Sequence, residues 1–172
     1  MDKLILIDGN SLINRAFFAL PPLNNPKGEP VHAVYGFCNM LVKAITDYKP
    51  THIAVAFDLH APTFRHKMYS EYKAGRRKMP DDLRVQVPML KEMLKLMGIK
   101  ILEKETYEAD DIIGTMAKRY GVMTYILTGD RDSFQLIDDT TTVYMTKRGL
   151  SEIEELNADP RSTRSGMHPD AQ

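Results

Sequence analysis

Leu4-Ile5-Leu6-Ile7 runs without a polar residue and stops on Asp8. A short, wholly apolar run of this kind fits a strand buried on both faces of a parallel sheet. Two later stretches repeat the design. Ile53-Ala54-Val55-Ala56-Phe57 stops on Asp58, and Tyr125-Ile126-Leu127 runs through Thr128-Gly129 into Asp130. Between them, Glu108-Ala109-Asp110-Asp111 opens a helix-like stretch. A carboxylate at the end of a buried strand is a poor choice for packing. Made three times, the choice predicts an acidic site at one edge of a sheet.

The rest of the chain supplies the sheet. Strand one spans residues 3–8, Gly9-Asn10-Ser11 reads as a turn and helix cap, and Leu12 to Leu20 as a helix. Residues 21–31, with Pro21, Pro22, Pro26, Gly28 and Pro30, form a loop. Val34, Phe37, Met40, Leu41 and Ile45 give helical spacing from His32 to Tyr48, and residues 52–57 form strand two. An amphipathic helix follows Pro80-Asp81-Asp82 to about Met97, with Gly98 at its end, then strand three at 99–102. Glu108 to Tyr120 is a helix stopped by Gly121, Val122 to Leu127 a strand, Asp132 to Ile137 a short helix and Thr142 to Met145 another strand. This order predicts a doubly wound, mainly parallel α/β sheet. The expected organisation is one core at 1–156, with an insertion near 62–80, and a polar, loose tail at 157–172.

Composition narrows the setting. The 172 residues are 43% apolar and 27% charged, an ordinary globular balance. The 23 basic and 23 acidic residues cancel, so only their clustering speaks to partners. A single cysteine, Cys38, excludes an internal disulfide framework and reads as core filler in a reducing compartment. No apolar run approaches the roughly 20 residues that span a bilayer. Met1-Asp2-Lys3 leads straight into a strand without a signal peptide. A cytoplasmic monomer with no membrane partner is expected.

In an open α/β sheet, ligands bind beyond the carboxyl ends of the strands, where Asp8, Asp58 and Asp130 fall if their strands are parallel. The i, i+3 spacing places Glu108 and Asp111 on one helical face and Asp110 elsewhere, unless the first turn is splayed. Asp132, two residues after Asp130, can face the same point from a turn. Carboxylates about 4 Å apart repel by roughly 4 kcal/mol per pair at an effective dielectric near 20. Such a cluster requires bound protons or a cation. Oxygen donors without His or Cys select Mg²⁺ or Mn²⁺. Two such ions suit in-line hydrolysis of a phosphodiester. Each acid also has a plainer reading. Asp8 can cap the next helix, Glu108, Asp110 and Asp111 can favour a helix N-terminus, and Asp130-Arg131-Asp132 can be a turn with an ion pair. Asp81, Asp82, Asp138 and Asp139 read as solvated turn or first-turn acids.

Residues 59–80 are basic and poor in aliphatic side chains. Arg65, Lys67, Lys73, Arg76, Arg77 and Lys78 crowd together with Phe64, Tyr69 and Tyr72 among them, and only Glu71 opposes them. Cations neutralise phosphates and aromatic faces stack on unpaired bases, so the stretch suits single-stranded nucleic acid. A solvated basic helix face is the plainer reading. Arg15, Lys147 and Arg148 are further candidates for phosphate contact.

Taken together these stretches resemble the 5′-nuclease or flap endonuclease family, in the form of the domain that opens bacterial DNA polymerase I. The matching residues are Leu6 to Ser11 with Arg15 to Leu20, Ala56-Phe57-Asp58, Phe64-Arg65, Glu71 to Ala74 with Arg76, and Pro80 to Leu83. They continue in Tyr107 to Asp111, Thr128 to Asp132 and Thr146 to Gly149. The resemblance covers about residues 1–156 and implies a PIN-like core. It implies that Asp8, Asp58, Glu108, Asp110, Asp111, Asp130 and Asp132 surround two divalent ions, Mg²⁺ or Mn²⁺. It implies that residues 62–80 belong to a helical arch passing a 5′ single strand. Arg65, Tyr69, Lys73 and Arg76 would steer the scissile phosphate, with Arg65 stabilising developing charge. Arg65, Lys73, Asp110 and Asp130 are thus the catalytic candidates. Arg15, Phe64, Tyr69, Tyr72, Arg76, Arg77 and Lys147 join them as DNA contacts. The family's later Gly-Asp-x-x-Asp-Asn segment and helix–hairpin–helix find no counterpart, so a truncated member is expected, with its second ion and its duplex grip in doubt.

The leading expectation is a 5′-3′ exonuclease or flap endonuclease acting on DNA 5′ ends or flaps in replication and repair, alone or with a polymerase domain. The alternative is a non-catalytic single-stranded nucleic-acid-binding fragment. An aspartyl phosphotransferase using Asp8 is disfavoured, because Asn10 stands where that chemistry wants a second carboxylate. A small RNA-cutting nuclease is disfavoured by the long basic insertion.

Overall fold

The computed structural model describes residues 2–59, 68, 78–146, 153–158 and 164–165. Strands β1 (Lys3–Asp8), β2 (His52–Ala56), β3 (Lys100–Leu102), β4 (Met123–Thr128) and β5 (Thr141–Thr146) pair in parallel in the order β3-β2-β1-β4-β5. The sheet is therefore the expected mainly parallel one. Helices cover both faces. Ile5, Ile7, Val55, Phe57 and Leu127 point to the side of α1 (Gly9–Ala19), α2 (His32–Tyr48) and α3 (Asp81–Leu96). Leu4, Leu6, Ala54, Ala56 and Ile126 point to the side of α4 (Ala109–Arg119). The alternation follows from the two-residue period of a strand, and it explains why polar residues are excluded from β1 between Leu4 and Ile7.

The strand order reverses beside β1. The chain leaves β1 for β2 on one side and later returns to β4 on the other, so a crevice opens between the carboxyl ends of β1 and β4. Registers align Ile7 with Val55 and with Leu127, so all three strands end near one level. That level is where the acidic residues begin.

Several boundaries differ from the sequence reading. Gly9-Asn10-Ser11 already belong to α1, and the cap is Asp8 itself, whose side chain accepts from Ser11 N. Gly9 admits no larger residue, because a Cβ there would lie 2.5 Å from the Phe57 ring. The short helix is a 3₁₀ turn, Arg131–Leu136. Strand β6 (Ile153–Leu156) pairs antiparallel with β5, and β7 (Arg164–Ser165) pairs antiparallel with β6. The expected loose tail thus contains a strand at 164–165, and its positions other than 157–158 and 164–165 lie outside the described residues. Physically, β6 pairs the outer edge of β5, which would otherwise present unpaired backbone groups. Its Ile-Glu-Glu-Leu sequence lacks the β-branched and aromatic richness that marks a strand.

One polar residue is built into the core. Gln86 of α3 is wholly buried, and its Oε1 accepts from Ala33 N at 2.8 Å and Val34 N at 3.3 Å. Its Nε2 donates to Asp82 O at 2.9 Å. Val31, the residue preceding α2, gives no side-chain cap, so α3 supplies one from across the core. Cys38 packs against the same core with its Sγ 3.2 Å from Met93 Sδ, and burial pushes its thiol up, in keeping with inert filler. Among the described residues no helix is long and apolar enough to cross a membrane.

Candidate active site

A cavity of about 640 Å³ lies at the carboxyl ends of β1 and β4. Asp8, Asp58, Glu108, Asp110 and Asp130 line it, together with Arg15 and other residues of α1. Five of the seven carboxylates expected at the site are therefore brought together, along with one expected nucleic-acid contact.

Local backbone chemistry puts each acid there. Asp8 is buried, Oδ1 accepting from Ser11 N at 3.0 Å and Oδ2 from Thr128 Oγ1 at 3.0 Å. Asp58 Oδ1 accepts from Ala109 N at 2.7 Å, tying the end of β2 to the start of α4. Glu108 is the buried N-cap of α4 in a reciprocal capping box, its side chain accepting from Asp111 N. Asp130 caps the 3₁₀ turn, with Oδ1 accepting from Asp132 N at 3.0 Å, while its own N–H donates to Thr128 Oγ1 at 3.0 Å. Asp8, Glu108 and Asp130 thus act as helix caps, and the same geometry brings them to one cavity. Helices that start where parallel strands end bring their N-caps to the crevice.

Two of the seven are placed differently. The sequence spacing put Glu108 and Asp111 on one helical face and Asp110 elsewhere unless the first turn is splayed; in the structure Glu108 and Asp111 meet in the capping box, while Glu108 and Asp110 line the cavity. Glu108 precedes the helix in an extended conformation, φ −90° and ψ 162°, so helical spacing does not govern its direction. Asp111 turns back so that its Oδ2 accepts from Glu108 N at 3.0 Å, and it is not among the residues lining the cavity. Asp132 is exposed and also absent from the lining, meeting Asp130 through its backbone. Phe64, Arg65, Tyr69, Tyr72, Lys73, Arg76, Arg77 and Lys147 lie outside the described residues, as does most of the basic insertion, of which Met68 and Lys78 to Pro80 are described.

Burial dominates the electrostatics, and like charge adds to it. Burial first, and then the charges of Asp58 and Asp130, push the Asp8 carboxyl up from 3.8 to about 6, against the lowering effect of its hydrogen bonds from Ser11 and Thr128. Asp110 is exposed as a residue but turns its carboxyl into the concave site. Partial desolvation, followed by Asp8, Asp130, Asp58 and Glu108, pushes it up to about 7. Among the described residues no three Asp, Glu, His or Cys side chains form a ready-made ion cage. The donor set nevertheless fits a hard divalent cation. All five acids offer oxygen, and neutralising their mutual repulsion is what such an ion does.

The sequence reading put Asn10 and Ser11 in a turn and cap, placed Phe18, Thr128 and Gly129 only within family-matching stretches, and did not single out Asn14. Ser11, Asn14, Arg15 and Phe18 follow i, i+3, i+4 and i+7 spacing, and all four line the cavity. That stripe was the available signal. Gly129 packs closely on it, donating N–H to Ser11 Oγ at 2.9 Å, and a Cβ there would lie 3.3 Å from Arg15 Nε.

Over residues 3–163 the chain matches the family described as 5′-3′ exonuclease, N-terminal resolvase-like domain. It belongs to that family. Over 171 residues it is 47% identical to DNA polymerase I of Bacillus subtilis (strain 168), a match covering 98% of this chain and 19% of that protein. The chain thus spans about a fifth of this curated relative. A structure of the T5 5′-exonuclease with divalent zinc ions bound is similar at a TM-score of 0.65 and 20% identity, covering 90% of this chain and 58% of that one. The T5 flap endonuclease, solved as a pseudo-enzyme-product complex with DNA and metal ions, gives 0.60 at 20% identity over 83% and 54%. At these identities the structural likeness is one of fold, and it agrees with the PIN-like core expected of the 5′-3′ exonuclease family.

Proposed function

We propose that the chain is a divalent-metal-dependent 5′-nuclease that hydrolyses DNA phosphodiester bonds at 5′ ends or flaps. The observation that carries the proposal is the convergence of Asp8, Asp58, Glu108, Asp110 and Asp130 in one cavity at the switch point of the sheet. Membership of the 5′-3′ exonuclease family supports the reaction class. The T5 enzymes, solved with divalent zinc ions and with DNA and metal ions, support DNA and divalent ions as the ligands.

These five carboxylates would hold the ions, Mg²⁺ or Mn²⁺ by their oxygen donors. Bound there, divalent ions supply Lewis acidity and a water of lowered pKa for in-line displacement. The chain's own contribution is positional. Asp8 is held from two sides by Ser11 N and Thr128 Oγ1, and Asp58 by Ala109 N, so neither needs to reorganise when substrate arrives. Asp111 and Asp132 act through the backbone, fixing Glu108 and Asp130. Arg15 offers a guanidinium to a phosphate entering beside α1. Charge stabilisation at the phosphate is assigned to Arg65 and Lys73, on the sequence alone. The longer relative is named DNA polymerase I, so work beside a polymerase in replication and repair is part of the proposal.

The test is cleavage of a 5′-labelled flap substrate in Mg²⁺, Mn²⁺ or EDTA, beside Asp110→Ala. Cutting near the junction that requires the metal and is lost in the variant is the expected result. Binding without cutting in any metal would overturn the enzyme reading and leave a binding module.

A further inference from the structure

Phe18 is 73% exposed, although the residue one turn earlier on its face, Asn14, is polar and the true apolar face of α1 lies opposite. Leu12, Ile13 and Ala16 fill that buried face. An isolated exposed apolar side chain needs no explanation by itself. Phe18, however, lines the acidic cavity, on the same stripe as Asn14 and Arg15. It is also braced. The Phe17 ring meets it edge-on at 5.1 Å between centroids, and Phe17 in turn packs on the buried His32 ring at 4.7 Å. A ring so supported is presented without the freedom of an ordinary surface side chain.

We infer that Phe18 is a stacking platform for an unpaired base of the bound DNA strand. The inference rests on the nuclease reading above and extends it to a ligand subsite. Every base presents a π-face to an aromatic ring, so a platform grips the strand without reading its sequence. Ten residues separate Phe18 from the Asp8 cap, about 15 Å along the helix. The stacked base therefore belongs to a neighbouring nucleotide and not to the one whose phosphate reacts. Arg15, one turn nearer the acids, lies between the two and can meet the connecting backbone.

The experiment uses the full chain with Ca²⁺ in place of Mg²⁺, and flap DNA carrying 2-aminopurine at successive single-strand positions. The unsubstituted chain should change the probe's fluorescence at one or two positions. Phe18→Ala should abolish that change and weaken binding roughly 5- to 100-fold, the range for loss of one base–aromatic stack. Phe18→Tyr should restore both, and Phe18→Leu, apolar but without a ring face, should restore neither. Unfolding should be nearly unaffected in all three, because the ring is exposed. Binding and fluorescence unchanged in Phe18→Ala would overturn this inference while leaving the nuclease reading intact. Absence of DNA binding by the unsubstituted chain would overturn both.

Discussion

Thr128 Oγ1 stands 3.0 Å from Asp8 Oδ2 and 3.0 Å from the amide nitrogen of Asp130, so one buried hydroxyl ties together the acids of two adjacent strands. It donates to the first and accepts from the second. Thr128→Val keeps the shape and removes both bonds, leaving a buried carboxylate and a buried N–H short of partners. The expected cost is about 1–3 kcal/mol in urea unfolding. A weaker response to divalent ions should accompany it, because Asp8 and Asp130 lose their common reference point. Thr128→Ser should recover most of both effects. A valine variant with unchanged midpoint and unchanged ion response would show that the hydroxyl does not position the acids.

Asp8 and Asp110 also set the pH response. Both hold protons in the folded chain that an unfolded chain releases near 3.8. Their stabilising contribution is thus complete below 3.8 and is lost as pH rises through about 6 and about 7. For the buried Asp8 the loss is on the order of 3 kcal/mol. In EDTA the melting temperature should therefore fall between pH 5 and pH 8, a window in which ordinary carboxylates are already ionised. Added divalent ions should raise it more at pH 8 than at pH 5, because at the lower pH they must displace protons. A flat profile in EDTA would sink this account.

Away from the cavity, Gln86 is a wholly buried polar support of the fold. Gln86→Leu would strip Ala33 N and Val34 N of their acceptor at the start of α2 and place a branched chain in a site shaped for an amide. The expected loss is about 2–4 kcal/mol, with faster hydrogen exchange at those two amides. Exchange unchanged at Ala33 and Val34 would mean that α2 is held by its apolar face alone.

How much of this was legible in the sequence follows from how local each cause is. The run before Asp8 declares a strand buried on both faces because burial acts on each residue separately. The same logic found Asp58 and Asp130. Within the Glu108 group, spacing alone did not bring Asp110 to the cavity, because a cap residue is set by a backbone conformation that spacing rules do not contain. Gln86 was invisible for a stronger reason. Its partners lie 53 and 52 residues away, and a lone glutamine in an amphipathic helix announces nothing. Strand β6 was hidden because pairing with β5, and not its own propensity, makes it a strand.

Asp110 is where stability and chemistry should part. Its carboxyl is crowded by Asp8, Asp130, Asp58 and Glu108, so in the absence of cations its charge works against the fold. Asp110→Asn removes that charge while keeping the side chain's size. In EDTA at pH 8 the variant should melt higher, by roughly 2–4 °C if screening leaves about 1 kcal/mol of repulsion. It should also lose part of the pH slope described above. Divalent ions should then stabilise it less than the unsubstituted chain, because one oxygen anion is missing, and flap cleavage should fall about 100-fold or more. The combination is diagnostic. A residue retained for packing would destabilise when changed, whereas a residue retained for binding cations stabilises the cation-free protein when its charge is removed. Lower melting in EDTA, with an undiminished response to Mg²⁺ or Mn²⁺, would contradict the assignment of Asp110 to the ion site.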